Sequence, residues 1–122
     1  MSNQVQKLKG LLRKTKFTSM LMGCPYPASR WNRAVKRTIH KLGAEAKILD
    51  LGSGTDRRAP NVITLEIEAG SNVDVIGDGH QLPFHDNAFD AIISEAVLEH
   101  VLEPKQVVAE IYRVLKPGGY VC

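Results

Sequence analysis

Ile48-Leu49-Asp50-Leu51-Gly52-Ser53-Gly54-Thr55-Asp56 is the stretch from which the rest of the chain can be placed. A short apolar run that carries one acid and flows into two spaced glycines is how a parallel strand hands over to a ligand loop. Without a Cβ, Gly52 and Gly54 can take positive φ and let bare backbone N–H groups approach a ligand closely. In a doubly wound sheet such a loop lies at the carboxyl ends of the strands, where these folds bind their ligands. A lone Gly-x-Gly is also the signature of an ordinary tight turn, so its meaning depends on its surroundings.

Upstream, Trp31, Val35, Ile39 and Leu42 recur with a period near 3.6 and Gly43 sits where a C′ residue belongs, which predicts an amphipathic helix over 30–42. Before it, Leu8, Leu11 and Leu12 among Lys7, Lys9, Arg13, Lys14 and Lys16 predict a basic helix over 5–17, and Pro25 and Pro27 break regular structure after it. Downstream, only residues 52–61 separate the first strand from Val62-Ile63-Thr64-Leu65-Glu66-Ile67, and Pro60 leaves room for a turn or two at most. Glu66 ends this second strand, where an acid can reach a ribose diol. A turn at 69–72 precedes the short run Val73-Asp74-Val75-Ile76. Taken locally, that turn suggests an antiparallel hairpin; the reading adopted for the whole sheet puts 73–76 parallel beside 62–67.

Phe89-Asp90-Ala91-Ile92-Ile93 reads as a fourth strand, with Ser94 capping a helix that buries Val97, Leu98, Val101 and Leu102. Pro104 fits the first turn of another helix bearing Val107, Val108, Ile111, Val114 and Leu115 on one face. Lys116-Pro117-Gly118-Gly119 ends it, and Tyr120-Val121-Cys122 starts a fifth strand. The expected architecture is α/β: a Rossmann-like, doubly wound, mainly parallel sheet, incomplete, with Ile48–Leu51 central between 62–67 and 89–93. A basic helical extension over 1–29 precedes the domain expected over 30–122.

The 122 residues suffice for one domain with a real core. No apolar run approaches a membrane span and the lysine-rich start has no apolar signal region, so a cytoplasmic location is expected. Cys24 and Cys122 alone make neither a disulfide framework nor a zinc site. Eleven of the sixteen Lys and Arg residues fall within 1–47 beside a single acid, Glu45, whereas 48–122 hold the other twelve acids. Such asymmetry can mark an anionic partner, but no aromatics are interleaved for base stacking, so a solvated basic face is expected and a nucleic-acid partner is not.

Four pieces in order resemble a class I S-adenosylmethionine-dependent methyltransferase of the small-molecule type. They are Leu49-Asp50-Leu51-Gly52-Ser53-Gly54; Gly77-Asp78-Gly79-His80-Gln81-Leu82-Pro83-Phe84; Asn87-Ala88-Phe89-Asp90-Ala91-Ile92-Ile93 leading to Val97-Leu98-Glu99-His100-Val101; and Arg113-Val114-Leu115-Lys116-Pro117-Gly118-Gly119. The resemblance covers about residues 31–122. It implies S-adenosylmethionine as cofactor, with Gly52, Ser53 and Gly54 beneath its methionine part and Asp50 near its amino group. It implies Glu66 on the ribose hydroxyls, Asp78 and the Gly79 backbone at the adenine, and Ser94 and Glu95 on the methionine side. A small-molecule methyl acceptor follows from the same resemblance, its identity open.

The chain departs from that pattern in three ways. Asp56 stands where many members carry a third glycine, the connections flanking the second strand are short, and the family continues past Lys-Pro-Gly-Gly through further strands. The expectation is therefore a carboxyl-terminally truncated, cofactor-binding half, with residues 89–93 exposed as a sheet edge and prone to self-association. No catalytic residue is assigned. The family's donor is already activated, so a base is optional, and His80, His85 and His100 are candidates that sit more naturally on loops or helix surfaces. Two rivals are weighed. A nicotinamide-dependent oxidoreductase needs Gly-x-Gly-x-x-Gly opening a helix, but Arg57 occupies the third glycine's place. The other is an inactive methyltransferase-like binding module.

Overall fold

The computed structural model describes residues 28–122, so the expected basic helix over 5–17 lies outside the described residues. The elements in order are α1 (Ala28–Leu42), β1 (Ile48–Leu51), β2 (Val62–Glu66), β3 (Val75–Ile76), β4 (Phe89–Ser94), a 3-10 turn (Leu98–His100), α2 (Pro104–Val114) and β5 (Leu115–Val121). Residues 34–122 form one compact unit built on a five-stranded sheet of order β3-β2-β1-β4-β5. Every strand pair is parallel. The expected centre holds: Ile48 pairs with Val62 on one side and Ala91 on the other, and Leu51 with Leu65 and Ser94.

All four residues of β1 are buried, because a central parallel strand has both faces covered. Alternation along the strand then divides them. Leu49 and Leu51 join a cluster with Leu65, Phe89, Ile92 and the α2 residues Val107, Ile111 and Val114. Ile48 and Asp50, on the alternate face, lie outside that cluster although equally buried. Phe84 meets Phe89 edge-on at 4.8 Å between ring centroids, closing one end of the cluster. Gly43 ends α1 as expected, its N–H donating to Ile39 O at 3.2 Å.

The hairpin suggested locally by the turn at 69–72 does not form, because Asp74 returns the chain in the parallel sense. The Asp74 N–H donates to Thr64 O at 3.1 Å, and the Asp74 carboxylate accepts from the Thr64 N–H at 2.9 Å. Arg57 grips both Asp74 oxygens, at 2.7 and 2.9 Å, and also donates to Val62 O at 2.7 Å. The Thr64 hydroxyl donates to Asn72 O as well. Eight residues thus close a parallel return whose register is Leu65 with Val75 and Glu66 with Ile76. The Arg57 pairing, with the Thr64 N–H beside it, holds the Asp74 carboxyl well below the ordinary carboxylate range. A depressed carboxyl contributes stability that is fully present above its unfolded value and lost progressively as pH falls from there towards its lower folded value. Asp74→Asn should therefore lower Tm at neutral pH and flatten the fall of Tm between about pH 5 and pH 3. Thermal melts of both proteins across that range check it.

Three other expectations are corrected. Ser94 caps no helix: it is the last residue of β4, its N–H donates to Cys122 O at 2.8 Å, and Ala96 follows at φ 54°. That left-handed residue interrupts helical propagation, so only the three-residue turn Leu98–His100 forms and Leu102 stays 92 % exposed. On α2, Val107, Ile111 and Val114 are buried as expected, but Val108 faces solvent and Leu115 already belongs to β5. The strand expected at 120–122 instead starts at Leu115 and pairs with β4 at Phe89, Ala91 and Ile92, with a register shift around Gly118 at φ 77°. Residues 89–93 are accordingly an interior strand, and the edge is β5.

Candidate functional site

Parallel strands deliver their carboxyl ends to one side of the sheet, so the residues that end or follow β1, β2, β3 and β4 converge there without further contrivance. Gly52, Ser53 and Gly54 follow β1, Glu66 ends β2, Asp78 and Gly79 follow β3, and Ser94 and Glu95 end and follow β4.

The glycine loop is fixed by two hydrogen bonds. Gly52 N–H donates to Leu65 O at 2.9 Å, and Gly54 N–H donates to Glu66 Oε1 at 2.7 Å. Both glycines have positive φ, 72° and 68°. At Gly52 a Cβ would also lie 2.5 Å from Val97 Cγ2, whereas nothing lies within 4 Å of one at Gly54. The first glycine is therefore required by packing as well as by conformation, and the second borders open space. Glu66, expected at the ribose, carries the loop on one oxygen and accepts from the Ile67 N–H on the other at 3.3 Å.

Asp50 is 1 % exposed. Its Oδ2 accepts from Arg58 Nε at 2.9 Å, and Arg58 Nη2 reaches Glu95 Oε2 at 2.5 Å. Arg58 therefore spans from the end of β1 to the end of β4. Burial pushes the Asp50 carboxyl up, Arg58 pulls it back, and the negative Glu95 and Glu66 add to the upward push. Asp50 Oδ1, Ser53 Oγ and Ser94 Oγ are buried with no hydrogen-bond partner. A fourth such atom among the described residues, Trp31 Nε1, is on α1; Leu51 pairs with Ser94 in register, so the other three belong to the adjoining ends of β1 and β4.

Asp78 stands apart from this group. Its Oδ1 accepts from the His80 N–H at 2.8 Å and meets His80 Nδ1 at 2.6 Å, and these contacts hold its carboxyl below the usual range. His80 Nε2 accepts from the Glu103 N–H at 3.2 Å, so the ring proton lies on Nδ1, facing Asp78. His80 is thus a tie between the 78–81 turn and the start of α2. His85 Nδ1 contacts the carbonyl of its neighbour Asp86 at 2.7 Å, and His100 is exposed at the end of the 3-10 turn.

One element of the site went unrecognised in the sequence: Arg58, since nothing in the spacing of a short loop says which way a side chain folds. Away from the site, Arg113 of the fourth motif piece pairs with Glu110 and Asp86 and donates to Phe84 O and Leu82 O, fixing the 82–86 segment against α2. Among the described residues there is no group of His, Cys, Asp and Glu able to hold a metal, and no helix long and apolar enough to cross a membrane.

A family model described as a methyltransferase domain matches residues 49–122. The demethylmenaquinone methyltransferase of Renibacterium salmoninarum is 34% identical over an alignment 107 residues long that covers 74% of this chain and 45% of that protein. The demethylmenaquinone methyltransferase of Thermotoga maritima is 29% identical over an alignment 110 residues long that covers 75% of this chain and 48% of that one. Among solved structures, the cyclase SpnF aligns with TM-score 0.63 at 28% identity, covering 77% of this chain and 44% of that chain. An S-adenosylmethionine-dependent methyltransferase from Thermotoga maritima aligns with TM-score 0.58 at 28% identity, covering 74% and 49%. The chain spans about half the length of the curated relatives it matches.

Proposed function

The chain belongs to the methyltransferase-domain family, and from that premise we propose that it binds S-adenosylmethionine at the carboxyl ends of β1, β2 and β4 and serves methyl transfer to a small-molecule acceptor. The observation that carries the reading is that three of the four orphaned buried atoms among the described residues, Asp50 Oδ1, Ser53 Oγ and Ser94 Oγ, fall at adjoining strand ends. A buried polar atom without a partner costs about 1–3 kcal/mol, and three together at adjoining strand ends are relieved by a polar ligand. An amino-acid end supplies what they lack: an ammonium for Asp50 and a carboxylate that the two hydroxyls can donate to.

In this reading Gly52, Ser53 and Gly54 run beneath the methionine portion, Glu66 accepts from the ribose hydroxyls, Asp78 and the Gly79 backbone meet the adenine, and Glu95 closes the methionine side. When bound, S-adenosylmethionine supplies a methyl group already activated on a sulfonium, so the protein's own task is alignment and exclusion of water. None of the three histidines is given a role. The domain is taken to start near residue 30, after the basic extension, and any self-association would run through β5, where Tyr120 and Val121 are exposed.

Calorimetric titration of the chain with S-adenosylmethionine, S-adenosylhomocysteine and NAD tests the proposal. The first two should bind and NAD should not. Binding of NAD alone would favour an oxidoreductase-type site; binding of none would favour an inactive module. Binding and transfer are separate measurements, since the cyclase SpnF has a similar fold.

A further inference from the structure

Arg58 has no part in the sequence motif, yet it lies across the site. Its Nε holds Asp50 Oδ2 and its Nη2 holds Glu95 Oε2, so one cation is shared between an acid of β1 and the acid that follows β4. Asp50 is 1 % exposed and retains one oxygen, Oδ1, with no partner. A buried carboxylate stays ionised only while a cation holds it. We propose that Arg58 is the positioning residue of the ligand's ammonium: by clamping Asp50 and Glu95 together it leaves Asp50 Oδ1 as a fixed, charged acceptor for the amino group. The inference rests on the cofactor reading above.

The charges are consistent with this. Asp50, Glu95 and Arg58 sum to one negative charge, which suits a ligand with a net positive amino-acid and sulfonium end. Asp50 feels Arg58, Glu95 and Glu66, and only Arg58 among them favours its ionised form, against burial. Without Arg58 the two remaining acids and burial all push Asp50 toward its protonated form, which cannot accept from an ammonium through a bare carboxylate. Raising the pH would then restore the acceptor.

Two probes separate this role from mere support of the fold: S-adenosylhomocysteine, which carries the ammonium, and 5′-methylthioadenosine, which shares the nucleoside but lacks the amino-acid end. In the full chain, Arg58→Met should weaken S-adenosylhomocysteine about tenfold or more at pH 7 and leave 5′-methylthioadenosine unchanged. The loss, measured against the unmodified protein at the same pH, should shrink as the pH is raised. Arg58→Lys should restore most of the affinity, and Arg58→Gln carries the same test if the methionine variant does not fold. Equal losses for both ligands, unchanged affinity for S-adenosylhomocysteine, or a gain in it would each overturn the proposal. If the unmodified chain binds neither probe, the cofactor reading itself fails, and that result is visible before any variant is made.

Discussion

Leu49→Ala should destabilise the domain by about 2–5 kcal/mol. Leu49 is fully buried in the central strand, between Ile63 on β2 and Ile92 on β4, and its side chain belongs to the cluster shared with α2. Truncation leaves a cavity that three strands and a helix would have to collapse around, and strands locked by ladders on both sides have little freedom to do so. For a domain of this size each kcal/mol moves Tm by roughly 4–8 °C, so the loss is readable by thermal melting as well as by denaturant titration. The denaturant slope should stay the same, since the surface exposed on unfolding hardly changes. Val108→Ala is the control: Val108 is 48 % exposed on α2, and the change should stay within about 0.5 kcal/mol. Equal losses at both positions would mean that α2, not β1, organises the core.

The centre of the sheet was legible because parallel strands buried on both faces write themselves as continuous apolar runs. Ile48–Leu51 and residues 89–93 are such runs, and each lies where its composition says. The parallel placement of β3 was legible only from the whole, since the local turn pointed to a hairpin. What decides it is the Asp74 network with Thr64 and Arg57, a set of contacts between residues up to 17 apart that no local pattern encodes. The segment after β4 failed for the opposite reason. Its apolar spacing is helical, but Ala96 adopts φ 54° and halts the helix, and positive φ is uncommon for any residue other than glycine. The strand-end positions of the glycines and acids were legible from the apolar runs before them, but not their structural ties, such as the Gly54 N–H to Glu66 and the His80 N–H to Asp78. Arg58 was not, because its meaning lies in where its side chain ends, on Asp50 and Glu95, and a loop sequence does not carry that direction.

Glu66→Ala should weaken S-adenosylmethionine binding about tenfold to a hundredfold, equivalent to the roughly 1.5–3 kcal/mol of hydrogen bonds to a charged acceptor. In the proposed complex this carboxylate is the group that serves both ribose hydroxyls, a task for an acceptor-only side chain at the end of a strand. Glu66 also holds the glycine loop, since its Oε1 accepts from the Gly54 N–H at 2.7 Å. The alanine variant therefore loses two things at once, the ribose acceptor and the tie that keeps Gly54 beside β2. Glu66→Gln separates them. Glutamine retains one carbonyl oxygen for the Gly54 N–H but replaces the second acceptor with an NH2 that can only donate. Its Tm should fall at most slightly, because the NH2 also displaces the oxygen that accepts from the Ile67 N–H, and its affinity should fall between those of the parent and the alanine variant. If a folded Glu66→Ala binds the cofactor with unchanged affinity, Glu66 serves the loop alone, and the ribose must be held elsewhere on the sheet's carboxyl edge.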